Sequence, residues 1–400
     1  MLRSFAAALA LAFTVSPAGA QQAQPIRLGV LNDQSGVYAD FGGAGSVAAA
    51  RLAVEDYGGK VLGRPIEILS ADHQNKPDAA STIARGWYER DNVDAVLDLT
   101  TSAVALAVRE VALSKNRAML IASASSPEMT GKDCSPNTVH WGFDSYANSV
   151  TAAKLSVAAG MNTWFFITGD NAGSRAQEEQ AALAVKKAGG QVIGAVRHPL
   201  GTSDFSSFLL QAQSSGAKVM ALANAGADTT TAIKQSREFG LPGEGRSVLP
   251  MLAYITDIHA LGLKDAQGLR FTTGFYWDRT DSTRAWSKRF MERHKGRAPT
   301  VVQAGVYTLT THFLKAMDAV KSENGDAVVA EMKKMPVNDA LWQNVTIRED
   351  GRSLNDMYLV EVKKPDESKG PWDYYRILST IPGQEAFRPV SEGNCPFLKK

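Results

Sequence analysis

Side chains that can hydrogen-bond a small molecule gather in short runs, each following an apolar segment. Thr100-Thr101-Ser102 is one, Ser123-Ala124-Ser125-Ser126-Pro127-Glu128 a second, and the loop 32–42, with Gly36, Tyr38 and Phe41, a third. Hydroxyls at the start of a helix leave backbone N–H groups free to meet an anion, worth roughly 0.3–1 kcal/mol at a surface and up to ~2 when partly buried. Ser102 is positioned to cap the helix that follows, and Ala105, three residues on, offers no reciprocal carboxylate to compete for those amides. Pro127 suits the first position of another helix. Gly36 permits a tight turn, while Tyr38 and Phe41 can wall a pocket. Taken singly, each run is an ordinary cap or turn. Side by side at strand ends they form a binding site.

Reaction chemistry finds no such support. The chain has no G-x-S-x-G, no H-E-x-x-H and no G-x-x-x-x-G-K, and its histidines, His73, His140, His198, His259, His294 and His312, have no metal-ligand spacing. They read as surface or hinge residues, and Trp286 and Trp342 read as packing residues. Gly43-Ala44-Gly45-Ser46-Val47-Ala48 imitates a dinucleotide fingerprint, yet about ten residues separate it from the strand before it, so the required strand-to-helix turn is missing. We therefore expect no enzyme, no metal and no cofactor.

Elements that position these runs follow a βαβα order. Apolar runs without period-two alternation mark strands buried on both faces at 26–31, 66–70, 95–99, 118–122, 163–168, 191–196, 219–223 and 248–253. Amphipathic stretches between them predict helices at 45–57, 77–89, 103–115, 174–188, 203–214 and 229–239. Parallel sheets are the outcome of such alternation. Segments 93–116 and 217–240 share one design of apolar strand, small polar loop and helix, so two halves echo each other. Past residue 275 the pattern changes, with helices predicted at 283–294 and 302–320 and a late strand at 357–362. Open α/β sheets bind ligands beyond the carboxyl ends of their strands, where the polar runs lie.

A chain of 400 residues exceeds what one core of roughly 250–300 residues accommodates, so two domains are expected. Its 43 Lys+Arg and 41 Asp+Glu nearly cancel and are dispersed, which argues against nucleic acid or an anionic membrane as partner. Arg3, the apolar stretch 5–15 and Ala18-Gly19-Ala20 read as a signal peptide over residues 1–20, with no following Cys for a lipid anchor. The expected location is the periplasm. Cys134 and Cys395 form a pair in an exported chain, which suggests one disulfide, with two separate thiols as the alternative.

The stretch 98–130 resembles, without a gap, the leucine/isoleucine/valine-binding proteins that serve ABC importers, and the similarity extends over 26–362, including Ser35-Gly36 and the Ser-Pro-Glu-Met-Thr run at 126–130. The resemblance implies a type I periplasmic-binding-protein fold: two doubly wound parallel-sheet lobes joined by a three-strand hinge, 25–143 plus 278–350 and 144–277 plus 351–392. It implies that Ser102, the Ala124 carbonyl and Ser125 hold the head group of an amino acid and that Phe41 closes over it; Thr101, next to Ser102, is expected in the same site. Lobe two departs from the family. Asn171 and Ala225-Gly226 stand where bulkier side chains are usual, and the acid that binds an ammonium has no clear match, Asp257 being either its substitute or a helix cap. The expected ligand is a small carboxylate, either a branched-chain or other amino acid or an aromatic or hydrophobic acid; with Tyr38, Phe41, Tyr254 and Tyr276 available to sandwich a ring, a carboxylate other than leucine with an aromatic or bulky apolar group is favoured. The implied partner is a membrane permease served by a monomeric binding protein. A receptor of the same fold feeding a signalling partner is the alternative.

Overall fold

A computed structural model describes residues 24–243 and 245–398. The expected signal peptide lies outside the described residues. Lobe one is built on a six-stranded sheet of order β2-β3-β1-β4-β5-β6. Its elements are β1 (Ile26–Asn32), α1 (Gly43–Tyr57), β2 (Lys60–Val61), β3 (Arg64–Asp72), α2 (Pro77–Glu89), β4 (Val93–Asp98), α3 (Ser102–Ser114), β5 (Ala118–Ile121) and β6 (Thr138–His140). The central strands β1, β4 and β5 pair in parallel, Leu28 lying opposite both Ile68 and Ala95, and nearly every side chain of these three is buried. That is why they read as continuous apolar runs.

Lobe two follows with α4 (Ser145–Ala158), β7 (Thr163–Gly169), α5 (Ala172–Lys187), β8 (Gln191–His198), α6 (Ser206–Ser214), β9 (Val219–Ala223), α7 (Ala227–Glu238) and β10 (Ser247–Pro250), then α8 (Ile255–Leu261), α9 (Leu263–Ala266) and β11 (Arg270–Thr273). Strands β10-β9-β7-β8 make a parallel sheet. The chain then returns to lobe one as α10 (Asp281–Arg293), α11 (Val301–Val320) and α12 (Gly325–Lys334), whose apolar faces join the lobe-one core. It crosses once more to β12 (Met357–Val362), which pairs antiparallel with β11 on one side and with β13 (Tyr375–Ile381) on the other, and the short α13 (Gly383–Ala386) follows.

Several expectations shift on contact with this architecture. The run 126–130 forms one 3₁₀ turn, Pro127–Thr130, capped by the Ser126 hydroxyl, and not a full helix. Residues 351–392 were expected throughout in lobe two, but the tail from Gly383 packs on lobe one: Ala386 and Phe387 join its core, and Arg388 pairs with Glu128 at 2.8 Å. Three histidines are buried away from the surface and hinge positions expected, because each finds a partner: His73 takes the Asn75 N–H, His312 bonds the carbonyl of Met332 and His198 that of Pro199; His140, whose ring bonds the Ala124 carbonyl, is buried at the first crossing, a hinge position. The fingerprint-like glycines serve packing, since a Cβ on Gly45 would lie 2.1 Å from the Gln303 side chain on α11.

Cys134 and Cys395 are joined with their Cα atoms 5.6 Å apart, pinning the tail 261 residues away in sequence to the loop before β6. A chain-entropy estimate puts the benefit of closing so long a loop at roughly 5–6 kcal/mol before any native-state strain. Cys395→Ser should lower the unfolding midpoint and raise proteolysis of the tail. Peptide mapping without reductant should recover the linked pair, and two alkylatable thiols in the denatured, unreduced protein would contradict the bond.

Candidate ligand-binding site

Strand β4 ends on Asp98 and Leu99, which carry φ values of 80° and 61° although neither is glycine. The Asp98 carboxylate holds this turn by accepting from Asn32 Nδ2 at 2.9 Å and from the Ser123 hydroxyl. Burial pushes its pKa up. Past the turn, Thr100 accepts the Asp33 N–H at 2.8 Å, and Thr101 caps α3 by accepting from Val104 N at 3.4 Å. The cap is thus Thr101 and not Ser102, whose hydroxyl lies one residue further and accepts the Ser126 N–H at 3.1 Å. A hydroxyl accepts and donates together, so the Ser102 hydrogen remains free for a ligand.

The first loop is organised by Asp33, which accepts from Gly36 N at 2.7 Å, Tyr38 N at 3.0 Å and Asn75 Nδ2 at 2.6 Å. Phe41 is fixed through its carbonyl, which accepts from Thr300 at the start of α11 at 2.6 Å. From lobe two, Tyr254 stacks on Phe41 with ring centroids 4.2 Å apart and planes 22° apart. Helix α5 begins opposite α3. Its cap, Asn171, accepts from Ser174 N at 3.0 Å and donates to the Ser174 hydroxyl at 2.9 Å. Neither α3 nor α5 has an acid in its first turn, so both present uncompensated N-termini to the gap between the lobes.

The cleft between these helix ends is narrow, with a cavity of about 40 Å³, and brings together Tyr38, Phe41, Thr101, Ser102, Ser125, Asn171, Ala225 and Tyr254 from the expected set. It adds Thr100, Ser123, Gly173, Ser174, Gln177, Asn224 and Leu252. Among these described residues none is charged. Gln177 is buried, and its Nε2 has no partner within the protein. A signal for it existed: it lies three residues past Ser174 on α5, on the same helix face. A larger open hollow of about 550 Å³ lies in lobe two beside β10 and β11, but its two cations are engaged, Arg237 with the carbonyls of Asp265 and Gln267 and Arg270 with Glu361.

Four expected residues lie elsewhere. The Ala124 carbonyl is bonded by His140 Nε2 at 2.7 Å, so that nitrogen carries the proton, and burial reinforced by the Arg352 charge keeps the ring neutral. Tyr276 faces β13, packing on Tyr375 at 5.1 Å and reaching Asp373 at 3.3 Å. Gly226 presses against Val37 instead of lining the cleft. Asp257 caps α8 by accepting from Tyr254 N at 2.9 Å. Of the other lobe-two acids near the opening, Asp170 pairs with Arg175, while Asp228 accepts the Gly201 N–H at 3.2 Å through one oxygen and keeps the other buried without a partner.

A sequence profile described as "Periplasmic binding protein" matches residues 25–370. The chain belongs to the periplasmic binding protein family. Its fold is the type I form of that family. This binding protein is 44% identical to a periplasmic binding protein of Burkholderia mallei, with a TM-score of 0.91 over 94% of this chain and 99% of that one. A branched chain amino acid ABC transporter periplasmic ligand-binding protein of Burkholderia xenovorans is 41% identical, with a TM-score of 0.83 over 93% and 99%. The Leu/Ile/Val-binding protein homolog 6 of Brucella melitensis is 25% identical over 368 residues, 90% of this chain and 93% of that protein.

Asp257 is buried without a cation, and burial pushes its carboxyl up to about 7. The folded binding protein therefore holds a proton that the unfolded chain has lost, and stability falls as pH rises from the ordinary carboxylate range to about 7, by roughly 1.4 kcal/mol per pH unit. Asp257→Asn keeps an acceptor for the cap and removes the charge. Thermal unfolding between pH 5 and 8 should show the variant gaining on the wild type as pH rises. A constant difference across that range would contradict the assignment.

Proposed function

We propose that this binding protein is the periplasmic solute-receiving component of an ABC importer, and that its ligand is a small carboxylate with a flat or apolar body and no amine. The observation that carries the reading is the facing of two helix N-termini, those of α3 and α5, across a cleft lined by hydroxyls and amides and by no acid. Ser102 and Ser125 are the lobe-one donors to the carboxylate, with the free amides at the start of α3 beside them. Asn171, Ser174 and Gln177 complete the shell from lobe two, and Tyr38, Phe41 and Tyr254 take the apolar body. An ammonium would be buried there without an anion, at a cost of several kcal/mol.

Relatives support the coarse role and bracket the ligand. The Burkholderia xenovorans protein is named for branched chain amino acids. Two proteins of the same fold from Rhodopseudomonas palustris hold benzoate and 3,4-dihydroxy benzoic acid, though at 18% and 19% identity they attest only what the fold can enclose. Export through a cleaved segment at 1–20, a monomeric state and docking on a permease complete the proposal.

Native mass spectrometry of the isolated protein, followed by a thermal-shift panel of small acids and their amides, tests it. Acids should raise the midpoint and the matching amides should not, with about 2.7 kcal/mol of stabilisation at a hundred times the dissociation constant. Hydrogen bonds to a charged group contribute roughly 1.5–3 kcal/mol, so Ser102→Ala and Ser125→Ala should each weaken the best acid by about ten- to a hundredfold in calorimetry. Unchanged affinity in both variants, or equal response to acid and amide, would refute the carboxylate site.

A further inference from the structure

Gly226 stands where lobe two touches lobe one beside the cleft. It caps α7 with φ 61° and ψ −135°, a conformation that residues with side chains rarely adopt. A Cβ at this position would lie 2.4 Å from the Val37 carbonyl oxygen and 3.2 Å from Cδ1 of Tyr38. The next residue gives its Ala227 N–H to that same carbonyl at 3.3 Å. Ala225, on the other side, packs against the lobe-one core. The tip of the lobe-one loop is therefore seated on lobe-two backbone. A clash with a carbonyl oxygen cannot be relieved by rotating a side chain; the lobes must separate.

We infer that Gly226 is a positioning residue for lobe closure, whose lack of a side chain lets the start of α7 reach Val37, and that any Cβ here holds the lobes apart and weakens ligand capture. The inference rests on the reading of the cleft as the ligand site, because closure bears on affinity only for a molecule held between the lobes. Gly173 marks a second close approach, its Cβ position lying 3.1 Å from the Ser125 hydroxyl oxygen and 3.4 Å from that of Ser102. Those hydroxyls can turn aside, so Gly173 constrains closure less.

The test uses the full exported chain as wild type, Gly226→Ala and Gly240→Ala. Gly240 shares a positive φ of 73° but has open space around it, so its variant reports a substitution at positive φ without a clash. Ala227→Pro is the second variant should Gly226→Ala fold poorly, since the first position of α7 accepts proline while the N–H given to Val37 is lost. Small-angle scattering is recorded with and without benzoate, and benzoate affinity is measured by calorimetry. Gly226→Ala and Ala227→Pro should show a larger radius of gyration than wild type and Gly240→Ala, and affinity should fall about tenfold or more as the closed fraction falls. Scattering and affinity equal to wild type, or an equal expansion in Gly240→Ala, would overturn the inference. Should wild type bind no benzoate while only the two latch variants expand, the closure role stands and benzoate fails as a ligand of the proposed class. Should benzoate bind all variants alike with no expansion, the ligand reading stands and the closure role falls.

Discussion

One buried carboxylate, that of Asp98, holds together the edge of lobe one that lines the cleft. Two successive residues with side chains in the left-handed region cost of order 1–3 kcal/mol each, and they persist because their surroundings fix them. Asp98 is bonded to the last residue of β1 and to the loop after β5, while the Leu99 N–H goes to Leu31 and the Asp98 carbonyl takes the Ala122 N–H. Three strand ends are thereby tied at one point. The chain leaves the sheet in a direction that starts α3 at the cleft, which brings Thr101, Ser102 and Ser125 to one surface. Among the described residues no cation pairs with Asp98; neutral donors stabilise it, so its turn brings no positive side chain to the cleft.

A second buried constraint joins the lobes. Arg352 is fully buried, with Nη1 3.5 Å from Asp144 and 3.3 Å from the Phe143 carbonyl, and its guanidinium lies 4.4 Å from the Phe387 ring centroid. Asp144 also caps α4 by accepting from Ala147 N at 2.8 Å, so the third crossing is fastened to the helix that opens lobe two. Backbone bonds from His140 to Gly351 and from Ser353 to His140 zip the first and third crossings together. A hinge this well bonded favours rotation of whole lobes about the crossings over local unfolding. The disulfide and the Arg388–Glu128 pair keep Phe387 in place over Arg352.

Much of this was legible in sequence because its physics is local. Parallel strands buried on both faces betray themselves as apolar runs, and 357–362 was bounded to the residue; hydroxyl clusters after such runs marked the cleft, and eight residues named from sequence line it. What was not legible depends on distant partners. The Ala124 carbonyl is taken by His140, sixteen residues away, and Tyr276 turns toward Asp373 across 97 residues. The late strand β13 is half exposed and follows a stretch rich in Pro, Gly and Asp, so it gave no apolar run. Gly226 was singled out, but as part of a wider cavity; only the approach of Val37 gives it a different role.

The central proposal is that the cleft takes a carboxylate and that, among its described lining residues, no acid is present to pair with an ammonium. Calorimetric titration with leucine and with 4-methylpentanoate isolates that point, because the two share a carbon skeleton and a carboxylate and differ by the α-amino group alone. The account predicts that 4-methylpentanoate binds more tightly, by about tenfold or more if burying the ammonium unpaired costs even ~1.4 kcal/mol. Tighter binding of leucine would contradict it and would require an acid of lobe two to reach the cleft.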